Sequence, residues 1–168
     1  MSDFKVFAPG DIRDNPFTMI GDQWMLITAE KDGRINAMTA SWGGVGVLWG
    51  KKVAYIFIRP QRFTKEFVDA SDTLSLCFLP ESQRENLRYF GSVSGRDEDK
   101  VAKTGLTVRH DGETPFFAES DCVMICRKLF SQTIDPAGFI DRSIDAACYA
   151  AKDYHEMYVC EIEKVLKA

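Results

Sequence analysis

Stretches rich in β-branched and aromatic residues, bounded by turn formers and without a regular helix between successive members, constrain this chain more than any other feature. They cover residues 24–29, 35–42, 53–58, 74–79, 122–133 and 157–166. The first two are separated by Glu30-Lys-Asp-Gly-Arg34, where Asp32-Gly33 signals a tight hairpin. Helix signals are few and short. Ser82-Gln-Arg-Glu85 reads as a capping box opening a helix that Gly91 closes. Asp97-Glu-Asp99 loads acids onto a first turn that ends near Gly105, and a third helix is expected over residues 63–70. Without βαβ alternation, the pattern predicts a mainly β fold, an antiparallel barrel with a few short helices, rather than a doubly wound sheet.

Hydrophobic residues make up 45% of the 168 positions and charged residues 27%, which suits one domain over residues 1–168 with a sizeable core. The longest uncharged run, residues 35–50, is broken by Asn36, Thr39, Ser41 and several glycines, so no membrane span is expected. The opening MSDFKVFAPGDIRDN has no apolar stretch of the signal-peptide kind, and a cytoplasmic protein is expected. A net charge of −4 disfavours broad contact with nucleic acid or anionic lipid. The five cysteines (77, 122, 126, 148 and 160) are read as reduced and mostly buried. Cys122 and Cys126 would share one strand face about 13 Å apart, too far to bridge or to chelate one ion. With only His110 and His155 besides, no metal site is expected.

Two catalytic signatures fail on inspection. Gly43-Gly-Val-Gly46 lacks the third glycine of a dinucleotide fingerprint, because Trp49 stands in its place and a strand follows. The glycines imply either a backbone lying against something flat or a loop at a barrel corner. Gly91-Ser-Val-Ser-Gly95 puts valine where a nucleophile elbow needs serine.

More informative is Asn36-Ala-Met-Thr-Ala-Ser-Trp42, followed by Ile56-Phe-Ile-Arg-Pro-Gln-Arg-Phe-Thr64. On a strand, Thr39 and Ser41 would share one face and Met38 and Ala40 the other. Arg59 and Arg62 flank Pro60 and Gln61 at a strand-to-helix turn, with Thr64 at the helix start. Guanidinium forks, hydroxyls and free helix N–H groups in one place suit a phosphate monoester. The same residues also suit a solvated rim with an ordinary helix cap.

These two runs, with Gly91-Ser-Val-Ser-Gly-Arg-Asp-Glu-Asp-Lys100 and Tyr154-His-Glu-Met-Tyr-Val-Cys-Glu-Ile162, resemble the flavin reductase-like family over nearly the whole chain. The resemblance implies an FMN-binding split β-barrel and a homodimer with one FMN per subunit near the interface. It implies that Met38, Thr39, Ala40, Ser41 and Trp42 back the flavin ring, and that Arg59, Pro60, Gln61, Arg62 and Thr64 hold the ribityl phosphate. By the same likeness Ser94 and Gly95 lie near the ring or ribityl chain, and His155 lies near the reactive face where a nicotinamide would stack. Cys160 stands where many members of the family carry glycine. Trp42 and Trp49 could equally fill the core or a dimer seam, and His155 could be a surface residue packed between Tyr154 and Tyr158.

Three functions follow as expectations. The first is an FMN oxidoreductase, an NAD(P)H-dependent flavin reductase with NADH or NADPH as electron donor, whose hydride chemistry belongs to the cofactor and needs no general base. The second is a flavoredoxin-like FMN electron carrier serving a redox partner protein without nicotinamide turnover. The third is a cofactor-free dimeric β-barrel interaction module.

Overall fold

A computed structural model describes residues 4–168. After strand β1 (Lys5–Phe7), a helical turn at Thr18–Gln23 seats Met19 and Ile20 in the core. Strands β2 (Met25–Lys31) and β3 (Arg34–Ala40) form the expected hairpin, with Asp32 and Gly33 both at positive φ (53° and 74°) as a tight two-residue turn requires. The hairpin of β4 (Gly43–Leu48) and β5 (Lys51–Ile58) turns the same way at Trp49 and Gly50. Helix α1 (Thr64–Ala70) leads to β6 (Thr73–Phe78), and α2 (Arg84–Ser92) and α3 (Lys100–Thr104) follow. The small hairpin β7 (Val108–Asp111) and β8 (Thr114–Phe117) precedes β9 (Cys122–Thr133), α4 (Arg142–Cys148) and β10 (Glu156–Lys167).

The main sheet runs β3-β2-β6-β9-β10-β5-β4, antiparallel throughout, with β1 paired to the end of β10. It curls without closing: β3 and β4 are its two ends, and only Ser41 and Trp42 join them. This is the split antiparallel barrel expected from the sequence.

Both faces of the sheet are buried along β2, β6 and the first half of β9. Met25, Ile27 and Ala29 of β2 and Cys122, Met124 and Cys126 of β9 enter one core, while Leu26, Val123 and Ile125 between them enter another with Leu87 and Phe90 of α2. Each large side chain sealed this way contributes roughly 1.5–3 kcal/mol. In β10 the inward set is Tyr158, Cys160 and Ile162, then Val165. The change of phase follows the irregularity in pairing between Ile162 and Lys164.

Several local expectations are corrected. Helix α2 starts after a short turn at Glu81–Gln83 and has no side-chain cap, so Ser82 and Glu85 form no capping box. Gly91 lies inside that helix rather than ending it, and its lack of a side chain suits the approach of Thr39, which a Cβ there would meet at 3.5 Å. The acids at 97–99 precede α3, and only Asp99 caps it, accepting from the Ala102 N–H at 3.1 Å; Gly105 ends it in the left-handed conformation. The glycine-rich run is a strand and not a corner loop. The flat partner is the Tyr55 ring, which a Cβ at Gly44 or Gly46 would meet at 3.8 and 3.6 Å. No described helix is long and apolar enough to cross a membrane.

Candidate functional site

The end of β3, the Ser41-Trp42 link, the end of β5 and the start of β10 enclose a cleft of about 280 Å³. Met38, Thr39, Ala40, Ser41 and Trp42 form one side. Phe57, Arg59, Arg62 and His155 form the other, and the lining carries no carboxylate. Strand β3 stops at Ala40, so Ser41 is an exposed link residue rather than the strand partner of Thr39. The Thr39 hydroxyl donates to the Leu87 carbonyl at 2.5 Å, which ties β3 to α2. Trp42 keeps 48% of its surface exposed, too much for a core residue, and packs on His155 with ring centres 5.2 Å apart.

Arg62 also lines a second, smaller recess of about 130 Å³, together with Gln61, Phe63, Thr64, the 91–95 segment and Lys100. Lys100 is only 3% exposed. Its ammonium and one arm of the Arg62 guanidinium donate to the same acceptor, the Phe90 carbonyl, at 3.2 and 3.3 Å. Among the described residues neither cation has a carboxylate within ion-pair distance. Burial, and then the neighbouring Arg62 charge, pull the Lys100 ammonium down to about 8; burial also lowers Arg62. Two desolvated cations sharing one carbonyl form a site in want of an anion.

The recess is rigidly framed. Thr64 is buried, and its oxygen accepts from the Asn36 amide at 2.9 Å. The Gly95 carbonyl accepts from Arg34 at 2.6 Å, and a Cβ at Gly95 would meet Phe63 at 3.0 Å and the Asn36 side chain closer still, so only glycine fits. Ser94 holds the following turn by accepting the Arg96 N–H at 3.2 Å.

At the other end of the cleft, Arg59 is already occupied. It pairs with Asp153 at 2.5 Å and donates to the Cys148 carbonyl at 2.9 Å, while Gln61 donates to the same Asp153 oxygen at 2.7 Å. These two partners hold the Asp153 carboxyl below the usual carboxylate range. His155 is buried between Trp42, Phe57 and Tyr149, and its Nδ1 lies 2.8 Å from the Tyr149 hydroxyl. Burial, reinforced by Arg59, pushes the imidazole down to about 4, so it is neutral at physiological pH.

A profile of the flavin reductase like domain matches residues 19–167. The chain belongs to the flavin reductase-like family. Solved structures of similar fold include flavoredoxin from Methanosarcina acetivorans, 19% identical, with a TM-score of 0.68 over 87% of this chain and 68% of that one. An FMN-binding domain of a flavin reductase-like enzyme from Shewanella baltica is 15% identical, with a TM-score of 0.71 over 98% and 77%. An FMN-binding protein from Thermus thermophilus, solved with p-hydroxybenzaldehyde bound, is 19% identical, with a TM-score of 0.66 over 84% and 69%. No curated protein matches this chain.

Of the residues that the flavin reductase-like resemblance pointed to, Met38 to Trp42, Arg59, Arg62 and His155 meet in the cleft, and Gln61, Arg62, Thr64, Ser94 and Gly95 meet in the recess. Pro60 lines neither and is exposed at the turn. Two elements of the phosphate reading change. The charge of Arg59 is met by Asp153, and the first amides of α1 are not all free, since Lys65 and Glu66 donate to Arg62 and Phe63 at 3.0 and 3.1 Å. His155 packs on Tyr149 instead of between Tyr154 and Tyr158; the Tyr158 hydroxyl bonds Asp69. Cys160 sits inside the core with its thiol pushed up to about 12 by burial, so it offers no reactive thiolate. The sequence reading missed Lys100, Phe57 and Tyr149. Phe57 was within reach, since it shares a strand face with Arg59.

Proposed function

We propose that this flavin reductase-like protein binds FMN across the cleft and recess, and acts as an oxidoreductase passing electrons from NADH or NADPH to the flavin or an acceptor. The observation that carries the reading is the pairing of the buried Lys100 ammonium with the partly buried Arg62 guanidinium on one carbonyl, at the end of a carboxylate-free cleft. An acidic protein that sets one buried and one partly buried cation side by side gains most from a dianion. Each charge-assisted hydrogen bond to it contributes roughly 1.5–3 kcal/mol. In this reading Arg62 and Lys100 hold the phosphate, with the hydroxyls of Thr64 and Ser94 beside them. Trp42 and Phe57 wall the cleft against water, and His155 presents a neutral imidazole to whatever enters. FMN, when bound, supplies reversible two-electron chemistry, so the chain provides position and electrostatics rather than a general base.

A homodimer is part of the proposal, supported by Val47, Trp49 and Phe130, which leave 61%, 60% and 42% of their surfaces exposed near the free edge of the sheet. Likeness to a flavoredoxin favours a second reading, an electron carrier for a protein partner with no nicotinamide turnover. The deciding experiment is the visible spectrum of the purified protein, identification of the released flavin, and anaerobic addition of NADH and NADPH. Released FMN with rapid bleaching and turnover supports the reductase. FMN without bleaching selects the carrier, and a colourless protein that takes up no FMN overturns both.

A further inference from the structure

Tyr149 lies on no element that the sequence pattern revealed. It follows α4, is 4% exposed, and reaches back so that its hydroxyl meets His155 Nδ1 at 2.8 Å. Its ring is held by Phe139 and Tyr154 at 5.9 and 4.9 Å and is covered by the Arg59 guanidinium at 5.2 Å. His155 Nε2 has no partner within the described chain, is not among the atoms sealed from solvent, and belongs to a side chain that lines the cleft.

We infer that Tyr149 is a positioning residue for His155: its hydroxyl donates to Nδ1, fixes the proton of the neutral imidazole on Nε2, and so makes His155 an uncharged hydrogen-bond donor to a carbonyl oxygen of the reacting molecule.

The direction of the bond follows from acidity. A phenol O–H is a far stronger acid than a neutral imidazole N–H, and a free imidazole nitrogen is the better acceptor. The groups facing the ring keep it neutral. Arg59 on the β5 side opposes a second positive charge, Asp153 is already shared by Arg59 and Gln61, Trp42 and Phe57 are apolar, and Glu156 at the start of β10 is bonded to Thr133 at 2.5 Å. The two ends of the site therefore select different chemistry. Arg62 and Lys100 await an anion, whereas the His155 end suits a neutral amide or quinone carbonyl.

The identity of the reacting molecule rests on the proposed reductase function; the tautomer does not. The test uses the FMN-loaded protein with ring-¹⁵N histidine, His110→Ala serving only to assign the two signals. His155 is expected to show the Nε2–H neutral signature unchanged from pH 8 to pH 5. Tyr149→Phe is expected to give mixed tautomers and a higher protonation midpoint while retaining FMN. It should raise the KM for the nicotinamide several-fold with little change in kcat. In a His155→Gln background, whose amide donates without help, the same change should add nothing. An Nδ1–H signature in the parent overturns the inference, even if Tyr149→Phe fails to fold. So does a variant whose tautomer or KM is unaltered. If NADH and NADPH never reduce the flavin but the tautomer readings hold, the reductase reading fails and the placement of the proton stands.

Discussion

Lys100 offers the sharpest quantitative test of the phosphate site, because its burial makes anion binding depend on pH. With a midpoint near 8 in the empty protein, the ammonium is about nine-tenths protonated at pH 7 and about one-tenth at pH 9. A phosphate beside it raises that midpoint, so binding above pH 8 takes up a proton. FMN affinity should therefore fall about tenfold, or about 1.4 kcal/mol, between pH 7 and pH 9. Riboflavin carries the same ring without the phosphate, and the ratio of the two affinities cancels any titration of the ring. The ratio, measured by flavin fluorescence quenching, should drop about tenfold over that interval in the parent protein. In Lys100→Met it should start lower and stay flat. The stability of the ligand-free protein carries the matching sign. The folded midpoint lies below the ordinary lysine value of 10.5, so the cost of the buried charge is fully present below pH 8 and is relieved as pH rises from about 8 to 10.5. Over that window the parent should gain up to about 3 kcal/mol relative to Lys100→Met. If FMN and riboflavin weaken in parallel from pH 7 to pH 9, or the parent and variant profiles superimpose, the phosphate does not bind at Lys100.

Arg62→Ala should narrow the FMN-to-riboflavin affinity gap by about ten- to a hundredfold, whereas Arg59→Ala should leave it unchanged because Asp153 already meets that charge. Equal effects of the two variants in titration would contradict the assignment. Gly95→Ala should cost about 1–3 kcal/mol in thermal or urea unfolding, since the new methyl group meets Phe63 at 3.0 Å; an unchanged midpoint would show that the 91–95 segment can move aside. Light scattering at micromolar concentration should give a dimer mass that Trp49→Glu shifts toward the monomer, and a monomeric parent with FMN bound would sink the dimer proposal.

The barrel was legible because its strands carry their own signature: alternating burial is local information, and 122–133 was read to the residue. The cleft was legible through Met38 to Trp42 and through Arg62, whose order along the chain is preserved in space. Charge partnership was not. Arg59 and Arg62 look equivalent at a turn, and only the return of the chain at Asp153 makes one a paired structural cation and leaves the other without an acid. Lys100 follows a run of acids, and nothing in that local pattern shows that α3, capped by Asp99, sets it under the end of α2. Helix α4 is short and mostly exposed, so it has no apolar stripe to announce it, and Tyr149 was invisible for the same reason.

The open sheet has a mechanical meaning. A closed barrel resists widening at every point, because any dilation must stretch a row of backbone hydrogen bonds. Here the circumference is interrupted between β3 and β4, and the dipeptide Ser41-Trp42 spans the interruption with no ladder across it. Compliance is thereby concentrated at the one place where the cleft opens. The pocket can breathe around a flat guest at the cost of rotating two exposed residues, while the pairing of β9 with β10 on the far side stays under no load. The backbone amides of Ser41 and Trp42 should exchange with solvent far ahead of those of β9, and a guest that bridges the interruption should slow them first.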